Sequence, residues 1–207
     1  MKTTTPFVIT ISRQLGSGGS VVGQKLAKQL NIFFADREII SKAAQMLSVL
    51  EEDIESRDEK TLSFWQSFLF TTAFAPETFI APQTVLPTDR ELFDAQAGVI
   101  EHIAKERSAV IVGRCGFHIL REHSNCVSIF LHANSAFRSE QIQDQYSVSK
   151  DYADKMIAQS DKERAIYCKT FTNTEWTDAR NYDLSVDTGK IGIDKTVELI
   201  LNFMKLT

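Results

Sequence analysis

The stretch Phe7-Val8-Ile9-Thr10-Ile11-Ser12-Arg13-Gln14-Leu15-Gly16-Ser17-Gly18-Gly19-Ser20 decides how this chain is read. Phe7 to Ile11 is a short β-rich run that stops at a polar, glycine-rich segment, and Val22, Leu26, Ala27 and Leu30 then recur at helical spacing. Strand, glycine loop and helix in succession open many phosphate-binding α/β folds. Glycines let the backbone approach an anion, and the amides of the first helical turn point at it. Gly16, Ser17, Gly18, Gly19 and Ser20 are therefore expected to hold phosphates, the alternative being a glycine-rich turn with no ligand. The loop is not a Walker sequence, which needs Gly, four residues and then Gly-Lys-Ser/Thr. With Gly18 as the second glycine, Arg13 stands at the first glycine and Gly19 at the lysine. The dinucleotide pattern fits worse, because its third glycine would fall at Val21.

Outward from this loop, further strands are expected at Phe33-Phe34, Ala109 to Val112, Cys126 to Leu131 and, more weakly, Leu184 to Asp187. Helical patterns lie between them, at Asp89 to Glu106, Ser135 to Tyr146, Ser149 to about Phe171, and Ile193 to about Met204. Strands alternating with helices imply an α/β fold with a mainly parallel sheet flanked by helices. Residues 36–87 are different: helix-rich at first, then aromatic (Phe64, Trp65, Phe68, Phe70, Phe74, Phe79) and interrupted by Pro76, Pro82 and Pro87. This segment reads as an insertion over one side of the sheet, its aromatics forming a small core of its own or a homodimer surface.

In an open parallel sheet, ligands bind outside the carboxyl ends of the strands. The glycine loop, Asp36 with Arg37, Arg114 and His132 would all arrive at that edge. Singly each has a plainer use, Asp36 as a helix N-cap and Arg114 as a salt-bridge partner. Arg13 closes the first strand, and its fixed charge and length suit it to stand in for the absent lysine; alternatively it pairs with Asp36 or Asp187. Asp161 and Arg164 share a helical face at i, i+3, either as a solvated ion pair or as part of a lid that brings an arginine to a phosphate.

Bulk properties narrow the classes of function. The formal net charge of −4 over 207 residues gives no general pull towards nucleic acid, which favours a small-molecule site. No apolar run is long enough to span a membrane, and residues 1–6 lack signal-peptide character. Cys115, Cys126 and Cys168 have no metal-like spacing and read as reduced thiols, which fits a cytoplasmic location.

Several blocks together resemble the bacterial cytidylate kinase-like family. They are Ile9-Thr10-Ile11-Ser12-Arg13-Gln14 with Gly16-Ser17-Gly18-Gly19, Asp36-Arg37-Glu38-Ile39-Ile40, Val112-Gly113-Arg114-Cys115, Asp161-Lys162-Glu163-Arg164-Ala165-Ile166-Tyr167, Trp176, and Asn181-Tyr182-Asp183-Leu184. The resemblance implies a P-loop nucleoside monophosphate kinase-like fold with a helical insertion and a lid. Its core would be about 1–35, 88–133 and 180–207, with an acceptor-side insertion at about 36–87 and a lid region at about 134–179. It further implies transfer of a phosphoryl group from ATP, with Mg²⁺, to a cytidine monophosphate-like acceptor. Gly16 to Ser20 would hold the donor phosphates, Asp36, Arg37 and Arg114 the acceptor, and Arg138, Asp161 and Arg164 would match lid positions. The chain departs from true cytidylate kinases, which carry lysine at Gly19, threonine at Val21, aspartate at Cys115, and arginine and aspartate at Ile157 and Ala158. A nucleotide-binding module without turnover, or a kinase for another small acceptor, is the alternative.

Overall fold

A computed structural model describes residues 5–52 and 89–206. Five strands, β1 (Val8–Arg13), β2 (Phe33–Ala35), β3 (Ala109–Val112), β4 (Cys126–His132) and β5 (Leu184–Asp187), pair parallel throughout in the order β2-β3-β1-β4-β5. The expected parallel α/β architecture is thus the one observed. β1 runs two residues beyond the apolar stretch, because Ser12 and Arg13 continue the pairing against Phe130 and Leu131 of β4. All five strands end at one edge, and β1 lies at its centre, between β3 and β4.

The helices of the glycine-loop side are α1 (Gly19–Leu30) and α8 (Ile193–Phe203). They bury Val22, Leu26 and Ala27, with Val197 and Ile200, against Ile9, Ile11, Val110, Val112, Ile129, Leu131 and Val186. Alternation along β1 sends Thr10 to the opposite face, where the short α4 (Gly116–Ile119) lies close enough for Gly116 to pack on the Thr10 methyl. Two longer helices, α5 (Ser135–Tyr146) and α6 (Lys150–Thr172), form a hairpin whose small core is Ile142, Ala153 and Ile157, with Leu15 of the glycine loop packed against it. Each has a polar N-cap. Asn134 accepts from the amide of Phe137 and Ser149 from that of Tyr152. The chain ends through α7 (Thr188–Ile191) and α8.

The chain divides into two compact units, residues 1–37 with 100–207, and residues 38–99. The second holds most of α2 (Arg37–Glu52) and the first part of α3 (Asp89–Glu106). It buries Ile40, Ala43 and Ala44 of α2 and Phe93, Gln96 and Val99 of α3, and the Gln96 amide donates to Ser41 Oγ at 3.4 Å. The aromatic and proline-containing segment expected over residues 64–87 lies outside the described residues.

Candidate functional site

The site is built where β1 gives way to α1. Gly18, at φ 73°, is the N-cap of α1, and no acidic residue occupies the helix's first turn. The loop ahead of it is pinned from below. Ser17 is fully buried, its hydroxyl 2.8 Å from the Gln14 carbonyl and 3.2 Å from that of Leu131. Thr188, also fully buried, donates to the carbonyls of Ser17 (2.9 Å) and His132 (3.1 Å), tying the loop to the ends of β4 and β5. The amides of Gly16, Gly18, Gly19 and Ser20 meet no acceptor among the described residues. They are donors left at the positive end of a helix. The Ser17 side chain belongs to the loop's own structure, and any contact it makes with a ligand is through its backbone.

The loop's glycines also answer to their protein neighbours. A Cβ on Gly16 would stand 2.7 Å from the Arg138 carbonyl oxygen, so the backbone of α5 is docked on that residue. Gly18 faces the side chain of Ile193, and Gly19 the stem of Arg13. Substitution at these positions therefore perturbs the fold directly, whatever the loop binds.

Beside the loop a cleft of about 190 Å³ brings together Arg13, Arg37, Arg114 and Arg164. Arg13 ends β1, Arg37 begins α2, Arg114 follows β3, and Arg164 comes from α6. The turn after β3 is left-handed at Gly113, Arg114 and Cys115 (φ 86°, 51° and 54°). For the two non-glycine residues that costs on the order of 1–2 kcal/mol each, and it directs Arg114 into the cleft, where its guanidinium lies 5.3 Å over the Tyr167 ring. Burial pushes the Arg13 guanidinium down to about 10, the charges of Arg164, Arg37 and Arg114 push the same way, and Asp36 opposes them. Arg164 is lowered for the same first reason, burial, with Asp161 opposing and Arg37 and Arg138 adding to the shift. A cluster of like charges that suffers its own repulsion is a receptor for an anion.

The α5–α6 hairpin also meets the loop through a carboxylate. Asp161 accepts from Arg138 Nη1 at 2.6 Å, lies 3.8 Å from Arg164 Nη1, and accepts from the Leu15 amide at 3.5 Å. Arg138 is 6% exposed, and its Nε is buried with no hydrogen-bond partner among the described residues. So Arg138, Asp161 and Arg164, expected together, are together, with Asp161 against the loop. Asp36 stands between β2 and α2 and acts on Arg13 electrostatically. No hydrogen bond or ion pair within 4.0 Å joins Arg13 to a carboxylate among the described residues. Asp187 instead caps α7, accepting from the amides of Gly189 and Lys190.

Behind the cleft wall, the lining residues Phe117 and Trp176 belong to an aromatic cluster with Phe130 and Tyr182. Tyr182 lies 4.9 Å from the Phe117 ring and 5.1 Å from that of Phe130, and donates its hydroxyl to the Trp176 carbonyl at 2.6 Å. Burial raises its pKa. Cys115 and Cys168 both line the cleft as free thiols, and their interaction with each other pushes Cys115 up and Cys168 down to about 6. The one legible signal for this wall is the aromatic content of Phe130, Trp176 and Tyr182, which does not reveal that they meet.

With this geometry the comparisons agree. The model of the cytidylate kinase-like family matches residues 8–190. The chain belongs to that family. A protein named cytidylate kinase from Shouchella clausii (strain KSM-K16) is 26% identical over 226 aligned positions, covering 96% of both chains. Among solved structures, an uncharacterized protein from Eubacterium ventriosum ATCC 27560 superposes with TM-score 0.72 at 24% identity, over 96% of this chain and 98% of that one. A shikimate kinase from Bacteroides thetaiotaomicron superposes at TM-score 0.52 and 14% identity, over 96% and 98%. The fold is that of the P-loop kinases.

Two departures from the family pattern have structural counterparts. Ile157 is 6% exposed and packs with Ile142 and Ala153, so an apolar residue fills the hairpin core where cytidylate kinases have an arginine. Cys115 is 7% exposed and turned towards Cys168. Among the described residues no group of three or more His, Cys, Asp or Glu is arranged to hold a metal ion. Mg²⁺ would therefore come only as a companion of nucleotide phosphates, retaining waters and few protein ligands. The residue that would touch it is Ser20, at the serine/threonine position of the Walker pattern. Bound there, Mg²⁺ would neutralise charge on the phosphate chain.

Proposed function

We propose that this protein transfers a phosphoryl group from ATP to a cytidine monophosphate-like acceptor. The observation that carries the reading is the convergence of Arg13, Arg37, Arg114 and Arg164 in one cleft, beside a helix N-terminus with four uncommitted loop amides. Phosphoryl transfer asks a protein for little beyond positioning and charge neutralisation, and these groups supply both. The amides of Gly16, Gly18, Gly19 and Ser20 bind the donor's phosphates. Arg37 and Arg114, with Asp36 at their edge, bind the acceptor, Arg114 through a two-pronged charge-assisted contact. Arg13, Arg138 and Arg164 neutralise the charge of the passing group. Asp161 positions Arg138 and Arg164 until phosphate replaces it at the loop. Closure over the cleft keeps water from the donor. A cytoplasmic location goes with the function, and no helix among the described residues is long and apolar enough to cross a membrane.

Two observations favour a second reading, a nucleotide-binding module without turnover: glycine stands at the lysine position, and Ile157 fills core at the lid arginine's position. One experiment separates them. ATP and Mg²⁺ are incubated with each nucleoside monophosphate, and with small hydroxyl acceptors, while ADP is followed. Acceptor-dependent ADP with cytidine monophosphates is expected. Nucleotide binding with no acceptor-dependent ADP would establish the module instead.

A further inference from the structure

Arg13 and Gly19 occupy the two places where a Walker loop has glycine and lysine, with Gly18 and Ser20 matching the pattern between and after them. Both are exchanged, and the structure shows that they are in contact. A Cβ added to Gly19 would lie 2.5 Å from Cβ and 2.6 Å from Cγ of Arg13. The arginine stem therefore fills the space through which a side chain at residue 19 would leave the helix. The head of Arg13 then runs to the end of β3, where a Cβ on Gly113 would collide with its Nη1. There it enters the cleft shared with Arg37, Arg114 and Arg164.

We propose that Arg13 and Gly19 are a reciprocal exchange of the loop's glycine and lysine, which moves the loop's cation from the helix to the strand and assigns it to the phosphoryl group in transit. The inference rests on the kinase reading and adds which residue supplies the missing charge and why residue 19 must then be small. Three observations support it. The stem of Arg13 leaves no room for a side chain at residue 19, so a lysine there requires a smaller residue at 13. The guanidinium reaches the cleft with no carboxylate within 4.0 Å among the described residues; Asp36 acts on it only electrostatically, and Asp187 is committed to capping α7. Its burial among other arginines, which already lowers its pKa, leaves its charge to be satisfied by a ligand. A guanidinium can also bridge two phosphate oxygens, where an ammonium presents a single point of charge.

The test is a pair of double-mutant cycles, read by thermal unfolding and by calorimetry of ATP binding. The small probe is Gly19→Ala. In the wild type it should lower the unfolding midpoint, because its Cβ meets Arg13; in the Arg13→Gly background it should be neutral or stabilising, since alanine is the better helix former. The functional probe is Gly19→Lys. Alone it should fail to fold or lose ATP binding, whereas Arg13→Gly/Gly19→Lys should bind ATP at least tenfold more tightly than Arg13→Gly alone. Arg13→Met, which keeps the stem, should fold like the wild type and bind ATP at least tenfold more weakly. If the Ala cycle is additive, or if Arg13→Met keeps wild-type ATP affinity, the exchange is overturned; should the lysine double variant not fold, these two results decide. None of these readouts needs an acceptor. A wild type that binds ATP but never forms ADP would overturn the kinase reading while leaving this inference to be judged on affinity.

Discussion

Arg114 owes its reach to an unfavourable turn. Three consecutive left-handed residues follow β3, and only the first of them is glycine. That strain at a cleft residue points to selection for where the guanidinium lies, not for stability. Arg114→Ala should weaken monophosphate binding more than tenfold, roughly 1.4 kcal/mol or above, and leave ATP affinity largely intact. Calorimetry with each ligand checks this, and an equal loss of both would make Arg114 structural. Arg114→Lys should recover only part of the loss, because lysine keeps the charge but cannot form the fork. Thr188 is the contrasting case, a residue with no charge and no ligand. Thr188→Val keeps the shape and removes both hydrogen bonds, leaving the Ser17 and His132 carbonyls without that donor. A loss of about 1–3 kcal/mol is expected, measured by denaturant unfolding, with Thr188→Ser restoring most of it.

Among elements, the contact that matters most is between the α5–α6 hairpin and the glycine loop. It is made by Leu15 in the hairpin core, by Gly16 beneath the Arg138 backbone, and by the Asp161 carboxylate. Asp161 holds Arg138, whose side chain is 7% exposed, so Asp161→Asn leaves a buried cation without its counter-charge. Roughly 3–5 kcal/mol should be lost in the absence of ligand. Pyrophosphate, an anion able to replace the carboxylate, should return more stability to this variant than to the wild type. Thermal unfolding with and without pyrophosphate measures both. An equal ligand response in the two proteins would mean that Asp161 does not stand where phosphate binds. The loop itself offers an independent readout. If its amides receive phosphate, hydrogen exchange at Gly16, Gly18, Gly19 and Ser20 should slow on ATP binding. Unchanged exchange there, at saturating ATP, would make the loop a turn.

At the scale of the molecule, the sheet was legible because its signal is local. Ala109 to Val112 is an unbroken apolar run and a fully buried strand; Cys126 to Leu131 is apolar but for Ser128, and its strand is buried over Ile129 to Leu131. The strand–loop–helix opening was legible for the same reason, and strand alternation with helices gave the parallel topology. The site was legible only as a set of residue types arriving at one edge. That Arg13, Arg37, Arg114 and Arg164 share a cleft follows from the sheet order and from the way α6 returns over it, both set by contacts far apart in sequence. The same distance hid Thr188 under Ser17, 171 residues away, and the fit of the Arg13 stem to Gly19. Ile157 illustrates the limit in the other direction. In sequence it is a departure from the family pattern, and only the structure shows it packing with Ile142 and Ala153.

The central claim is that the arginine cleft receives an acceptor whose phosphate takes the γ-phosphoryl group of ATP. The most direct measurement follows the label of γ-³²P-ATP, with Mg²⁺ and cytidine monophosphate, into products resolved by chromatography, for the wild type and for Arg114→Ala. Label should move into cytidine diphosphate, with little released as inorganic phosphate, and the transfer should fall at least tenfold in Arg114→Ala at subsaturating acceptor. Label that remains in ATP, or that appears only as inorganic phosphate whatever the acceptor, would contradict the claim.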